Sequence, residues 1–184
     1  MTKNKFLCKN CNSPFPAEMA KKYNFNACPV CGHLLPRCIE DIRQYFRIIQ
    51  LSEELEKAKN LVLKSEISAA VREAVIVLET VVKELSGLSD LIGSDLMAKA
   101  FSFKIDSQLK QVSEKPKISI NDLSTISKIN EQEGTKFIAM GLMQGVRNIF
   151  MHSKGTEKLF YGLQVITTVD FLLKLIFGWN AIAK

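Results

Sequence analysis

The run Ile67-Ser68-Ala69-Ala70-Val71-Arg72-Glu73-Ala74-Val75-Ile76-Val77-Leu78-Glu79-Thr80-Val81-Val82-Lys83-Glu84-Leu85 decides the fold class. Ile67, Val71, Ala74, Leu78, Val81 and Leu85 recur at alternating steps of four and three, the period of one helix face. Ala70, Val75, Val77 and Val82 widen that stripe, and Gly87 supplies a stop. Upstream, Ile39, Ile42, Phe46 and Ile49 mark a first helix from about Arg37 to Lys59. Downstream, a turn through Gly93 leads to a short helix with Leu96, Met97, Ala100 and Phe101 inward. Residues 105–120, with Pro116, read as a polar linker. Asn121 then caps a short helix to about Ile129, and another helix runs from about Glu131 to His152. Ser153-Lys154-Gly155 breaks it before a last helix, Thr156 to Gly178. The pattern predicts a mainly α protein, a helical domain over residues 37–184, with β structure confined to a small module at residues 1–36.

Composition agrees with a folded chain. Of 184 residues, 47% are hydrophobic and 24% charged, a globular balance that excludes disorder. The last helix is apolar nearly all round, so it is buried in its own domain or against a partner subunit. Gln164, Asp170 and Lys174 interrupt it, and no apolar run reaches the ~18 residues that a membrane span needs. Asp170 requires a partner there; Arg147 and Lys174 are the candidates. The start, Met1-Thr2-Lys3-Asn4-Lys5, has no signal-peptide core. These features predict a cytoplasmic protein with no membrane association.

The net charge is +6. Through residue 39, Lys3, Lys5, Lys9, Lys21, Lys22 and Arg37 stand against Glu18 alone among Asp and Glu. That excess suits a polyanionic partner.

Four of the five cysteines form two pairs, Cys8-Lys9-Asn10-Cys11 and Cys28-Pro29-Val30-Cys31, with sixteen residues between them. In a reducing compartment this spacing fits a tetrahedral site in which Cys8, Cys11, Cys28 and Cys31 hold structural zinc. Two intervening residues let one turn aim both sulfurs at one metal. So short a module buries little apolar surface and needs such a staple. Four thiolates leave no open coordination position for catalysis. His33, beside the second pair, is a surface residue or a substitute ligand; Cys38 is a buried free thiol. Phe6, Phe15, Tyr23 and Phe25 interleave with lysines and either stack bases or form the ribbon's own core.

Chemistry concentrates in Gly141-Leu142-Met143-Gln144-Gly145-Val146-Arg147-Asn148-Ile149-Phe150-Met151-His152. On an α-helix Gly141, Gly145, Asn148 and His152 form one row, with Arg147 beside it. An imidazole can move the protons of RNA cleavage, and a guanidinium can hold the phosphate charge. One protomer supplies a single histidine in the motif, so a symmetric dimer would complete an acid–base pair. The plainer reading is a cationic helix C-terminus and glycines that let helices pack.

Arg147-Asn148-x-x-x-His152 resembles the R-x4-6-H motif of the HEPN superfamily. Ala70-Val71-Arg72-Glu73-Ala74 with Leu78-Glu79, then Gly93, Leu96-Met97, Ala100-Phe101, Gly134, Gly141 and Gly145-Val146-Arg147-Asn148, resembles its abortive-infection-related Ymh branch over about residues 60–175. Many branch members carry a proline soon after the Arg-Asn pair, whereas here Ile149-Phe150-Met151 continues the helix pattern. The resemblance implies a HEPN-like helical bundle that dimerises through its motif helices. It also implies a metal-independent endoribonuclease leaving a 2′,3′-cyclic phosphate, a toxin or antiphage-defence effector, with Arg147, Asn148 and His152 as catalytic residues. RNA is then the substrate, and a neighbour-encoded antitoxin or defence protein a possible partner. The alternatives are a non-catalytic HEPN dimer that binds RNA or nucleotide, a zinc-ribbon adaptor in a larger defence complex, and a structural scaffold whose ribbon binds protein. Glu73 and Glu79 match acidic positions of the branch, and a solvated helix face accounts for them equally.

Overall fold

A computed structural model describes residues 5–16, 27–28, 30–31, 33–106, 112–146 and 159–178. Strands β1 (Lys5–Leu7) and β2 (Pro14–Pro16) pair antiparallel with Phe6 opposite Phe15, and an isolated bridge joins Ala27 to Leu34. Tyr23 and Phe25 lie outside the described residues. Among the described residues the remainder holds six α-helices: α1 (Pro36–Ile48), α2 (Glu56–Leu63), α3 (Ile67–Ser86), α4 (Gly93–Phe101), α5 (Ile126–Gly141) and α6 (Leu159–Phe177). The protein is mainly helical with a small sheet at its start, as the hydrophobic period predicts.

Helix α3 is the hub, packing on α2, α4 and α6. Its predicted stripe is buried at Val71, Ala74, Leu78 and Val81, while Leu85 at the last turn is exposed. It ends where Gly87 turns left-handed (φ 71), a conformation that glycine adopts without a Cβ penalty, and the Gly87 amide bonds the Lys83 carbonyl at 2.9 Å. Leu96, Met97, Ala100 and Phe101 are fully buried. The N-terminal module is tied to the helices: Leu34 enters the main core beside Cys38 of α1, and the Leu34 amide donates to Ser65 Oγ at 2.9 Å.

Three expectations change. The first helix does not run to Lys59. It stops at Ile48, Gln50 turns left-handed (φ 50), and a 3₁₀ turn Glu53–Leu55 leads into α2. In an unbroken helix the Ile49 carbonyl and the Ser52 amide would bond along the chain. Here Lys174 Nζ donates to the Ile49 carbonyl (2.8 Å), and Asp170 Oδ1 accepts from Ser52 N (2.8 Å) and Oγ (2.6 Å). Asp170 Oδ2 and Lys174 Nζ are 2.7 Å apart, so Lys174 is the partner that Asp170 required.

Residues 105–120 are not all linker. Lys104–Ile105 (β3) and Val112–Glu114 (β4) form an antiparallel hairpin, with 107–111 outside the described residues. The chain then returns to the core: Pro116 and Ile118 are buried. Gln132, fully buried, holds it there. Its Nε2 donates to the Phe101 and Ile118 carbonyls (3.1 and 2.9 Å), and its Oε1 accepts from the Ile120 amide (3.0 Å).

The third change is one helix where two were expected. Thr125, not Asn121, caps α5 through its hydroxyl, which accepts from Lys128 N. Asn121 closes a local turn, its Oδ1 accepting from Leu123 N at 2.9 Å. Helix α5 then passes directly into a π-helical turn, Leu142–Val146.

Among the described residues α6 is the one helix long and apolar enough to cross a membrane, and half of that stretch is buried inside the fold. Its Asp170 and Lys174 are buried as well, held by the first helix break.

Replacing Asp170 by Ala leaves the Lys174 ammonium buried without its counter-charge. Urea unfolding is expected to show a loss of about 3–5 kcal/mol. Gln132→Leu removes one acceptor and two donor bonds, and a loss of at least about 1–3 kcal/mol is expected in the same assay.

Candidate functional site

The two cysteine pairs lie on turns of the same design. Cys8 N donates to the Ser13 carbonyl (3.2 Å) and Cys28 N to the His33 carbonyl (2.7 Å), so each first cysteine closes its turn on the residue five further on. Asn12 adopts a left-handed conformation (φ 55) in the first turn, and its amide bonds the Cys8 carbonyl at 2.9 Å. The turns bring the four sulfurs within 4.8 Å of one another. Cys8 and Cys31 Sγ are 3.6 Å apart, and Cys11 and Cys28 Sγ 3.8 Å.

A tetrahedral zinc with Zn–S bonds of about 2.3 Å sets sulfur–sulfur edges of roughly 3.8 Å, and the donor set fits that geometry. Cys8, Cys11, Cys28 and Cys31 can therefore hold a metal ion, and all four are free thiols. His33 is not among the clustered donors. Cys38 is the buried free thiol expected; burial first, then the Asp41 charge, pushes its pKa up.

The thiols differ in acidity. The His33 backbone amide, then the Asn10 side chain, pulls Cys31 down to about 6. Asn10 Nδ2 lies 3.6 Å from Cys31 Sγ. The Ser13 hydroxyl, then its backbone amide, lowers Cys11. Burial pushes Cys28 up to about 11. Asn10 and Ser13 were not singled out from the sequence; their only signal there is a polar side chain within or beside a cysteine pair.

Arg147, Asn148 and His152 lie outside the described residues, as does the Ser153-Lys154-Gly155 break. Their flanks are described. A π turn holds one more residue than an α turn, so Leu142–Val146 does not keep α-helical phase with the turns before it. Gly141 and Gly145, the described half of the expected row, stand at the end of α5 and within this π turn. Gly141 and Gly145 are exposed, and a Cβ at either would meet nothing within 4 Å. These glycines do not serve packing among the described residues. A groove of about 550 Å³ opens between the π turn and α6, lined by Ile138, Leu142, Val146, Tyr161, Gln164 and Thr168. Phe160 and Tyr161 are exposed at the start of α6.

Glu73 pairs with Lys57 (2.9 Å). Glu79 pairs with Lys83 (3.1 Å) and accepts from the Gly93 amide (3.4 Å). Both carboxylates bind neighbouring elements together.

A helical domain preceded by a cluster of four thiols able to hold a metal defines the class of protein. The family model described as "Protein of unknown function (Hypoth_ymh)" matches residues 51–176, and the chain belongs to that family. The match covers α2 to α6 and includes Arg147, Asn148 and His152. No curated protein and no solved structure matches the chain.

Metal analysis of protein purified without chelator is expected to find one zinc per chain, falling well below one in Cys11→Ser and Cys31→Ser. Uptake by the metal-free protein is expected to weaken as pH falls through about 6, where Cys31 regains its proton. At neutral pH, binding is expected to release protons, Cys28 contributing because its thiol is protonated there.

Proposed function

We propose that this chain is a zinc-ribbon endoribonuclease of the HEPN type. It works as a homodimer in the cytoplasm, and a toxin or antiphage-defence role fits a nuclease of this kind. The observation that carries this reading is that the Arg147-Asn148-x-x-x-His152 run falls inside the family match, on the segment that connects α5 to α6. The groove at Val146 and Tyr161, and Gly141 and Gly145, uncovered among the described residues, support it, because a second subunit and a nucleotide both need space there.

The chemistry needs no metal at the cleaved bond. A base takes the proton from the ribose 2′-OH, the 2′-oxygen attacks the adjacent phosphorus, and the bond to the 5′-oxygen breaks. An acid protonates the departing 5′-oxygen, leaving a 2′,3′-cyclic phosphate. His152 from the two subunits fills the base and acid roles. Arg147 holds the non-bridging oxygens as charge builds, and Asn148 orients the phosphate or the imidazole. The ribbon's zinc is structural and takes no part in these steps.

Single-stranded RNA incubated with wild-type protein in EDTA is expected to be cut to products with cyclic phosphate ends. His152→Ala is expected to lose about 100-fold or more of the rate. Circular dichroism in the same buffer checks that chelation has not unfolded the ribbon. Equal rates for the two proteins would reject His152, and RNA binding without cleavage would favour a non-catalytic dimer.

A further inference from the structure

Where α1 stops and α2 begins, the two helices leave a cleft of about 560 Å³ that no part of the cleavage chemistry uses. Leu51 and Leu63 contribute to its apolar floor, and Arg43, Arg47 and Lys59 supply three cations. Gln50 and Asn60 add carboxamides. A smaller cavity of about 200 Å³ adjoins it at the junction of ribbon and α1, lined in part by Lys9, His33 and Arg43. Arg43 lines both spaces, so the two cavities meet at one side chain, and their cations together mark a basic track along α1.

The acids nearby are Glu40, which pairs with Arg43 at 3.3 Å, and Glu56, which pairs with Lys59 at 2.8 Å. Both pairs are largely open to water, where such pairs are weak and yield to a stronger anion. Lys9 and Arg47 make no ion pair among the described residues. The metal-bearing thiolates, Cys8 among them, add negative charge at the ribbon end, which places the strongest anion site at Arg43 and Arg47.

Arg43 and Arg47 stand one turn apart on α1 and present two planar forks in series, a spacing that suits successive phosphates. The track is made of recessed cavities, which suits a strand and not a flat lipid surface. Amides and aliphatic carbons beside the cations suit ribose and base edges. On α1 the two arginines lie about 200° from Asp41 and Tyr45, which face the start of α6. The track is therefore on the opposite side of α1 from the start of α6.

We propose that this track holds the phosphate backbone of single-stranded RNA away from the cleaved bond, with Arg43 and Arg47 as its main contacts. The inference rests on the ribonuclease reading for its choice of ligand, but not on cleavage itself.

The test uses zinc-loaded full-length protein and a fluorescent 2′-O-methyl RNA 12-mer, which lacks the attacking hydroxyl. Arg43→Gln/Arg47→Gln is expected to bind at least tenfold more weakly, with an unchanged melting temperature. Its plot of log affinity against log salt is expected to flatten by about 1.4, near 0.7 for each lost phosphate contact. Lys104→Gln, on the exposed β3, is expected to change binding less than twofold. With cleavable RNA, the double variant should raise KM and leave kcat within twofold. Undiminished binding, or an equal loss in Lys104→Gln, would overturn the track. So would equal competition by a charge-matched polyglutamate peptide, which would make the ligand an acidic chain. If the wild-type protein binds through these arginines but cuts no RNA, the nuclease reading falls and the track stands. Cleavage with an unchanged KM in the double variant has the reverse meaning.

Discussion

Asp170 and Lys174, four residues apart on the most apolar helix, are buried together and reach across to the one place where the first helical segment breaks. A buried ion pair rarely gains stability by itself, because desolvation offsets the attraction. This one has further work. Lys174 takes the Ile49 carbonyl and Asp170 takes the Ser52 amide and hydroxyl, groups that the left-handed turn at Gln50 removes from helical bonding. Without these partners the break would bury unsatisfied polar groups, so the charge pair and the turn depend on each other. The separation of α1 from α2, and the cleft between them, depends on that turn.

The same logic of satisfied backbone operates on the other side of the core. Gln132 reaches from α5 to the end of α4 and to Ile118 and Ile120, closing the path of a chain that leaves the domain for the β3–β4 hairpin and returns. In both cases a polar side chain from one helix satisfies backbone that left regular structure elsewhere. A third departure, the π turn at Leu142–Val146, lies directly before Arg147. It keeps Leu142 and Met143 buried while the exposed Gly145 and the half-buried Val146 lead toward the motif.

The four-thiol cluster obeys different physics. Two short turns with matching hydrogen bonds bring four sulfurs together, and donors from Asn10, Ser13 and the His33 amide favour thiolate at Cys11 and Cys31. Burial works the other way at Cys28. A metal is the natural resolution of such a cluster, since it replaces thiol protons with a positive charge. Because Leu34 belongs to the main core, order in the N-terminal module is linked to order in the helices.

Local pattern was enough for much of this protein. Helical period marked the buried faces of α3 and α4, Gly87 marked a stop, and the spacing of Cys8, Cys11, Cys28 and Cys31 marked a metal site. Each of these depends on residues within a turn or two, or on a repeated short turn. The motif Arg147-Asn148-x-x-x-His152 was likewise legible as a string, but nothing along the chain signalled the π turn that precedes it. Only tertiary structure decided the break after Ile48, because the side chains that satisfy it are 118 and 125 residues away in sequence. It also decided the single long α5, where the Gln132 contacts span two helices and a returning segment. Long-range hydrogen bonds have no period, and a reading along the chain has nothing to detect them by.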